Sequence, residues 1–327
     1  MDKKSNRILT GIQSTGTPHL GNILGAIIPA IQMSQTKNSE SYLFIADLHS
    51  ITQIKDHKIL SHNTYATAAA WLAFGLDHKK TIFYRQSDIP QVTELAWYLS
   101  CYFPYQRLTL AHSFKDKQNR LQDVNSGLFN YPMLMAADIL LYDANIVPVG
   151  KDQLQHLEIT RNVANRFHNI NGETFIVPQA KPNNENMSIP GTDGQKMSKS
   201  KNNIIDVFLD EKKLKKQIQA IKTDSTPIEA SKDWKKCNLF NIYKLMASKP
   251  EIADIKSKYE KGGYGYGQAK EDLFALILNK FSKERQEFNH YLNNLDEIDK
   301  ILDAGATKAK ETADTVLKRV RKKLGYN

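Results

Sequence analysis

Residues 11–22 have the sequence Gly11-Ile12-Gln13-Ser14-Thr15-Gly16-Thr17-Pro18-His19-Leu20-Gly21-Asn22. The pattern predicts that a strand ends, that a turn rich in glycine and hydroxyl side chains follows, and that a helix begins near Leu20. Backbone N–H groups and the positive end of the helix dipole would then face the carboxyl edge of a sheet, which suits a phosphate. Gly21 would let a nucleotide approach the backbone closely. His19 could donate a hydrogen bond to a phosphate oxygen on which charge builds during a reaction, or could simply cap the helix.

The first 200 residues alternate short β-rich runs with longer helical patterns, which is typical of a parallel sheet flanked by helices, an α/β fold. The predicted strands are residues 7–12, 42–46, 81–84, 145–149 and 175–177. The predicted helices between them are residues 20–33, 59–74, 92–101, 132–142 and 153–167. Because ligands of such sheets bind outside the carboxyl ends of the strands, we expect the chemistry in the loops after Ile12, Ala46 and Val149.

The pattern changes in the last part of the chain. Residues 178–203 are rich in proline, asparagine, glycine and serine and predict a long mobile loop or linker. Beyond this segment the chain is almost wholly helical in pattern. A doubly wound sheet followed by a helical domain is therefore the predicted architecture.

Charge and composition limit the classes of protein that remain. The 327-residue chain has a net charge of +10, and residues 201–327 hold 26 basic and 19 acidic side chains. This surplus suits a polyanionic partner, although a solvated lysine-rich face would give the same balance.

Two cysteines, Cys101 and Cys237, exclude a disulfide framework and a thiolate-rich metal site. No apolar run reaches the ~18 residues of a membrane span, and no signal-peptide segment precedes the first strand, so we expect a cytoplasmic protein with no membrane partner.

A second motif is Lys196-Met197-Ser198-Lys199-Ser200, which follows the glycine-containing segment 191–195. Two lysines three residues apart on a hinged loop can close over a triphosphate and offset the charge that develops as pyrophosphate leaves. A lysine- and serine-rich surface loop is the plain alternative. By chance this pentapeptide would occur in only on the order of a few in ten thousand chains of this length, which favours the phosphate-binding interpretation.

Four segments together resemble the class I aminoacyl-tRNA synthetases, and within that class the bacterial tryptophanyl-tRNA synthetase family. His19-Leu20-Gly21-Asn22 resembles the HIGH motif, and residues 196–200 match the KMSKS motif without alteration. Residues 131–142 resemble the amino-acid-binding helix of the tryptophanyl family, and residues 147–156 resemble its VPVGEDQxQH segment. The resemblance covers essentially the whole chain. It implies a Rossmann-like ATP- and tryptophan-binding catalytic domain at 1–190, the KMSKS loop at 191–203, a helical tRNA anticodon-binding domain at 204–295, and C-terminal helices at 296–327 that could pack back on the catalytic domain.

The resemblance also implies an activity, that of a tryptophan–tRNA ligase. Such an enzyme activates L-tryptophan with ATP to tryptophanyl-adenylate plus pyrophosphate, and then transfers tryptophan to the 3'-terminal ribose of tRNA(Trp). Mg²⁺ would enter with ATP, because no histidine or cysteine spacing predicts a protein-held metal. A homodimer is expected. Three alternatives stay open: a tyrosyl-tRNA synthetase, an adenylyltransferase that does not act on tRNA, and a noncatalytic RNA-binding paralogue.

The choice of amino acid depends on Asp138. This residue lies in a helix turn of Met, Ala, Ile and Leu, so we expect it to be buried, and a buried carboxylate needs a donor. An indole N–H is a donor, but a phenol hydroxyl or a protein group would satisfy the carboxylate as well. The residue alone leaves tryptophan and tyrosine open, and the resemblance implies tryptophan. The other tryptophan-binding residues that it implies are Tyr131 and Gln153 at the α-ammonium and carboxylate, and Met135, Val147 and Val149 along the indole. It also implies His49 at the pocket edge, where a strand-end histidine with a local hydrogen bond is the alternative.

The resemblance implies a larger set of residues around ATP. The ATP-binding residues are Gln13, Ser14, Thr15, Gly21, Asn22, Gly150, Lys151, Asp152, Ile189, Lys196, Met197, Ser198, Lys199 and Ser200. The catalytic residues are His19, Lys115, Lys196 and Lys199, of which Lys115 could equally belong to a solvated charge run. The chain departs from the family pattern at three places: Ser14-Thr15-Gly16 replaces Pro-Ser-Gly, Lys151 replaces a glutamate, and the segment 189–195 differs in sequence.

Overall fold

The structure is a computed structural model that describes residues 6–36, 38–110, 124–150, 153–182 and 188–326. Within these ranges the sheet has five parallel strands in the order β3-β2-β1-β4-β5. The strands are β1 (Asn6–Ile12), β2 (Ser39–Ile45), β3 (Ile82–Arg85), β4 (Ile146–Val149) and β5 (Gln179–Pro182). The order reverses between β1 and β4, as in a doubly wound sheet, which confirms the predicted Rossmann-like fold class.

Helices fill the connections between the strands and most of the chain after β5. Before β5 these are α1 (Leu20–Asn22), α2 (Ile28–Ser34), α3 (Asp47–Ser50), α4 (His57–Ala73), α5 (Gln91–Tyr102), α6 (Tyr105–Leu108), α7 (Ser126–Leu140) and α8 (Leu154–Asn171). After β5 they are α9 (Glu211–Gln219), α10 (Asn238–Tyr243), α11 (Lys249–Lys261), α12 (Tyr266–Lys280), α13 (Ser282–Asn293) and α14 (Leu295–Lys323). Side-chain caps explain several starts, because Asp56, Asn125 and Asp210 accept backbone N–H groups of α4, α7 and α9. None of the helices in the described ranges has both the length and the apolar character needed to cross a membrane.

A π-helical turn, Ile23–Ile27, joins α1 to α2. The helix predicted for residues 20–33 is therefore continuous but contains one wide turn. Pro29 lies in the first turn of α2 and has no N–H to donate to a preceding carbonyl, which favours such a widening. Turns of this kind are frequent at functional sites.

The strand predicted for residues 175–177 is wrong, because the chain joins the sheet a few residues later, as β5. The Phe175 ring packs 5.2 Å from the ring of Phe167 on α8, and the Phe175 N–H donates to His168 Nε2. Pairing begins only where the Gln179 N–H donates to the Asn145 carbonyl. Contacts with α8 therefore hold this segment away from β4.

The sheet separates two hydrophobic cores. The first joins α1, α2 and α4 to the helices after β5 and includes Leu43 and Ile45 of β2. The second joins α5, α7 and α8 to residues 306–320 of α14 and includes Tyr42 and Phe44 from the other face of β2. Alternation of this kind is expected of a strand buried on both faces. Because the first core contains side chains from both sides of the predicted KMSKS loop, the sheet and the helical part pack together, while the domain limits themselves stay a prediction.

Helix α14 packs on β3, which is an edge strand of the sheet. Gly305 of α14 faces the backbone of Phe83 so closely that a Cβ atom would lie 1.8 Å from the Phe83 carbonyl oxygen. An uncovered edge strand can pair with another chain, and the helix prevents this. The absence of a side chain at residue 305 is what lets the helix lie this close.

This close packing gives a prediction about stability. Alanine normally favours a helix over glycine, but Gly305→Ala should lower the free energy of unfolding by about 1–3 kcal/mol, because the methyl group must push α14 away from β3. Urea unfolding followed by circular dichroism measures the change. Gly267→Ala in α12 is the matched control, since a Cβ there meets nothing within 4 Å and should be neutral or stabilising. A Gly305→Ala protein as stable as this control would contradict the packing described.

Candidate active site

A cavity of about 490 Å³ opens at the carboxyl ends of β1 and β4. These two strands pair at a single position, Ile8 with Ile146, whereas β1 and β2 stay in register over seven residues. The strands therefore separate toward their carboxyl ends, at the point where ligands of doubly wound sheets bind. The predicted site residues that line the cavity are Gln13, His49, Tyr131, Met135, Asp138, Val147, Val149, Gly150 and Gln153.

Phe44 forms part of the cavity wall and was not predicted from the sequence. Its ring stacks on Tyr84 and lies against Gly11 of β1, where a Cβ atom would be 2.4 Å from Phe44 Cζ. A side chain at residue 11 would therefore displace the ring. A glycine inside a predicted strand is the sequence signal for such a close approach, although it does not identify the partner.

Asp138 is buried at the cavity, as predicted, and already has protein partners. Gln86 Nε2 donates to Oδ1 at 2.8 Å and to Oδ2 at 2.9 Å, and His49 Nε2 donates to Oδ2 at 2.9 Å. Burial raises the pKa of the Asp138 carboxyl, while the hydrogen bonds from His49 and Gln86 act in the opposite direction. Protein groups therefore already donate to Asp138, which was one of the alternatives that the sequence left open. Among the described residues, Oδ1 has one donor and Oδ2 has two.

Gln86 is a second residue that the sequence did not predict. It directly follows β3, and the predicted functional loops were only those after β1, β2 and β4. The rule that places ligands at the carboxyl ends of strands applies to this loop too, and it was the available signal.

Tyr131, His156 and Gln153 form a chain of hydrogen bonds along one side of the cavity. His156 Nδ1 lies 2.9 Å from Gln153 Oε1, and His156 Nε2 lies 2.5 Å from the Tyr131 hydroxyl. Because the amide oxygen only accepts, neutral His156 carries its proton on Nδ1, and the Tyr131 hydroxyl donates to Nε2. His156 is buried and ends the segment 147–156 that resembles the family, but it was not predicted as a site residue.

His19 caps α1, so the simpler of its two predicted roles is observed. Its Nδ1 accepts the Asn22 N–H at 3.3 Å, and Asn22 Oδ1 accepts the His19 N–H at 3.2 Å. Burial, with a smaller effect of the Lys199 charge, lowers the pKa of His19 to about 4. The imidazole is therefore neutral at pH 7 with its proton on Nε2, which leaves it a hydrogen-bond donor as well as a cap.

Ser14 turns its hydroxyl into the protein. The hydroxyl donates to Ser50 Oγ at 3.1 Å, and the side chain is fully buried. Of the predicted phosphate turn, only Gln13 lines the cavity, while Thr15 is half-buried. The Ser14 side chain thus holds the turn against α3. If Ser14 contacts a phosphate, it does so through its backbone.

The KMSKS segment packs on the helix start near His19, although the two are far apart in sequence. The Gly21 N–H donates to Met197 Sδ at 3.3 Å, and the Met197 side chain is buried. Lys199 Nζ lies beside Gly16, since a Cβ at that glycine would be 3.0 Å from it. Burial lowers the pKa of Lys199 to about 8, and the nearby Asp206 opposes this shift. The two motifs thus form one surface beside the cavity.

The loop that carries the KMSKS segment is internally hydrogen-bonded. Asn203, which is buried, accepts the Ser198 N–H on Oδ1 and donates through Nδ2 to Asp193 and to the Lys196 carbonyl. Residues 188–203 are therefore a compact loop in the structure, where the sequence predicted a mobile linker. The Ile189 side chain is buried, and the Ile189 carbonyl accepts the Met197 N–H. Lys196 and Ser200 are exposed and Ser198 is half-buried.

Three predicted residues, Lys115, Lys151 and Asp152, lie outside the described residues. Within the described ranges, no three or more His, Cys, Asp or Glu side chains gather as ligands of a metal ion. The arrangement of the described groups is a cavity with one buried carboxylate, next to a surface with a neutral histidine and a lysine of lowered pKa. Chemically, this combination can bind a ligand that has one apolar, hydrogen-donating end and one polyanionic end.

The lowered pKa of Lys199 predicts how stability depends on pH. Below about pH 8 the lysine is charged in both the folded and the unfolded chain, so its burial destabilises the fold; this penalty disappears as the pH rises from about 8 toward 10.5, its ordinary pKa. Lys199→Met should therefore raise Tm at pH 7, and the gain should shrink above pH 8. Differential scanning calorimetry measures it, with the exposed Lys201→Met as control. A gain that is unchanged at pH 10 would show that charge burial is not its cause.

Comparison with known proteins identifies the family. A family model described as tRNA synthetases class I (W and Y) matches residues 1–282. The chain is 44% identical to the tryptophan–tRNA ligases of Campylobacter jejuni and of Rhodopirellula baltica over 319 residues, which is 98% of this chain and 99% of each relative.

Solved structures agree with the sequence matches. The crystal structure of the Campylobacter jejuni tryptophanyl-tRNA synthetase complexed with ADP and tryptophan is similar with a TM-score of 0.93 at 44% identity, over 98% of this chain and 99% of that one. The synthetase of Mycoplasma pneumoniae is similar with a TM-score of 0.81 at 28% identity, over 99% and 98%. The chain therefore belongs to the class I tRNA synthetases of the tryptophan and tyrosine family.

Proposed function

We propose that the chain is a tryptophan–tRNA ligase. The tryptophan carboxylate attacks the α-phosphorus of ATP, pyrophosphate leaves, and the tryptophanyl-adenylate then passes its amino acid to the terminal ribose of tRNA(Trp). The observation that carries this proposal is the buried Asp138 at an apolar cavity next to the packed His19 and KMSKS segments. The 44% identity to ligases named for tryptophan supports tryptophan over tyrosine.

The indole would enter the part of the cavity that contains Asp138. Asp138 Oδ1, with one donor already, would accept the indole N–H. Met135, Val147 and Val149 would contact the apolar ring. The desolvated carboxylate favours a ligand that brings its own donor, because a buried charge with too few hydrogen bonds is costly.

The α-ammonium and carboxylate of tryptophan would lie near Tyr131 and Gln153. Because the Tyr131 hydroxyl gives its proton to His156, its oxygen can only accept, which suits an ammonium group. The amide of Gln153 also carries N–H donors, the kind of group that binds a carboxylate. Gln13 and Gly150, which also line the cavity, would lie between the amino acid and the nucleotide.

ATP would extend from the cavity across the surface formed by the two motifs. Its phosphates would contact the turn at Gln13, Ser14 and Thr15 and the segment 196–200; its nucleoside would contact Gly21, Asn22 and Ile189, with the ribose at Gly150, Lys151 and Asp152.

No covalent enzyme nucleophile is needed, so catalysis consists of positioning and charge stabilisation. His19 Nε2–H and the ammonium groups of Lys115, Lys196 and Lys199 would offset charge on the departing pyrophosphate. Mg²⁺ would arrive with ATP as part of the substrate and add positive charge there.

The transfer step needs tRNA, and the helical part of the chain is the proposed anticodon-binding region. Its surplus of basic over acidic side chains would supply a salt-dependent attraction to phosphates. A homodimer in the cytoplasm completes the proposal, as inferred from the family resemblance.

The proposal is tested by exchange of labelled pyrophosphate into ATP, with Mg²⁺ and without tRNA. Tryptophan, tyrosine and phenylalanine are compared at equal concentrations. We expect exchange with tryptophan alone, because the relatives at 44% identity are named for tryptophan; tyrosine is compared because its hydroxyl could also donate to Asp138. Exchange with tyrosine instead would leave the ATP site intact and overturn the proposed amino acid. Absence of exchange with all three would remove the proposed first step.

The position of Lys199 predicts a kinetic effect. Its charge acts on phosphates that become more negative as the bond breaks, so Lys199→Ala should lower kcat for exchange roughly 10²-fold and change the KM for tryptophan much less. Lys201→Ala is the matched control, because this lysine is exposed and its ammonium donates to Gln195 Oε1 in the same loop. Equal effects on kcat and KM would indicate that Lys199 serves ordinary ground-state binding.

A further inference from the structure

Gln86 connects two of the groups that line the cavity. It is 1% exposed and begins the short 3-10 turn after β3. Its Nε2 donates to both oxygens of Asp138, at 2.8 and 2.9 Å, and its Oε1 accepts the backbone N–H of His49 at 3.3 Å. The amide nitrogen of Gln86 thus donates to a carboxylate, and its amide oxygen accepts from a backbone N–H. The amide orientation is therefore fixed, since exchanging its oxygen and nitrogen would set acceptor against acceptor and donor against donor.

The hydrogen bonds from Gln86 fix the orientation in which the Asp138 carboxylate faces a ligand. A carboxylate buried on an apolar helix face keeps its charge only when donors surround it. Gln86 supplies a donor to each oxygen, and His49 supplies one more to Oδ2 alone. The three hydrogen bonds hold the carboxylate in one orientation and leave Oδ1 as the oxygen with fewer donors.

We infer that Gln86 is a specificity-determining positioning residue, which keeps Asp138 as an oriented acceptor for a ring N–H. The inference rests on the proposed function and adds to it a residue that does not itself reach the substrate. An oriented acceptor binds a ring that carries an N–H and rejects one of the same shape that lacks it, because the acceptor would then stay buried without its partner. Without Gln86 the carboxyl can turn or take up a proton, and this discrimination should fall.

The test uses two amino acids of nearly equal shape. L-tryptophan and L-3-(3-benzothienyl)alanine, in which sulfur replaces the ring N–H, are compared in pyrophosphate exchange with the full-length protein. The quantity measured is the ratio of their kcat/KM values, which cancels changes in folding or in ATP binding. The variants are Gln86→Leu, which removes the donor, and Gln86→Glu, which keeps the shape but sets a second carboxyl against Asp138.

The matched control is Gln91→Leu. Gln91 also donates its amide to an aspartate, Asp314, but it lies at the start of α5 and is not among the residues that line the cavity. We expect the unaltered protein and this control to favour tryptophan by at least about tenfold, since the hydrogen bond is made to a charged group. In both Gln86 variants the ratio should fall roughly tenfold, mainly through poorer use of tryptophan, while the KM for ATP stays within about twofold.

The outcomes separate this inference from the proposed function. Should Gln86→Leu fail to fold, the isosteric Gln86→Glu still yields the ratio. Equal loss for the two amino acids, with the ratio kept, would mean that Gln86 only supports the fold and would overturn the inference alone. An unaltered protein that shows no exchange with tryptophan would overturn the proposed function and the inference with it.

Discussion

The separation of β1 from β4 is the constraint on which the site depends. Two parallel neighbours that paired along their whole length would close the sheet and leave no cavity. Here the strand order reverses between them, so the chain leaves β1 toward one face and β4 toward the other, and pairing stops after one residue pair. The cavity opens where backbone pairing ends, and it is lined by residues of β1 and β4 and by the face of α7 that carries Tyr131, Met135 and Asp138.

Burial shifts the pKa values of several ionisable groups in the site. The pKa of Asp138 is raised, and those of His19 and Lys199 are lowered, in each case with desolvation as the largest cause. The carboxylate of Asp138 and the ammonium of Lys199 are costly to bury as charges, whereas His19 avoids this cost by being neutral at pH 7. The two hydrophobic cores on either face of the sheet compensate for the buried charges. A desolvated charge also interacts more strongly with its ligand than a solvated one, which is why such strain is tolerated at a binding site.

The last helix supports the site from a distance. Arg85, the last residue of β3, donates to Asp299 and Asp303 of α14 and to Asp88 in the turn that begins with Gln86. Since Gln86 follows Arg85 directly, the ion pairs with α14 help to fix the strand end from which Gln86 reaches Asp138. The C-terminal helix thus covers the sheet edge and also helps to fix the strand end next to Gln86, which contacts Asp138 of the cavity.

Patterns in the sequence were enough to predict the doubly wound sheet and to single out the two motifs at residues 19–22 and 196–200. Local periodicity and turn residues located the first four strands to within a few residues, and the family resemblance identified the segments that the structure brings together, including Met197 on Gly21. The sequence could not predict the start of β5, the inward hydroxyl of Ser14, the neutral state of His19 or the contacts of Phe44, Gln86 and His156. The physical reason is that each of these depends on a partner from another element: Gln86 and Asp138 are 52 residues apart, and nothing in the local pattern around either residue indicates the other. Patterns along the chain report which surfaces are apolar, whereas protonation state and hydrogen-bond partners are set by what packs against them in space.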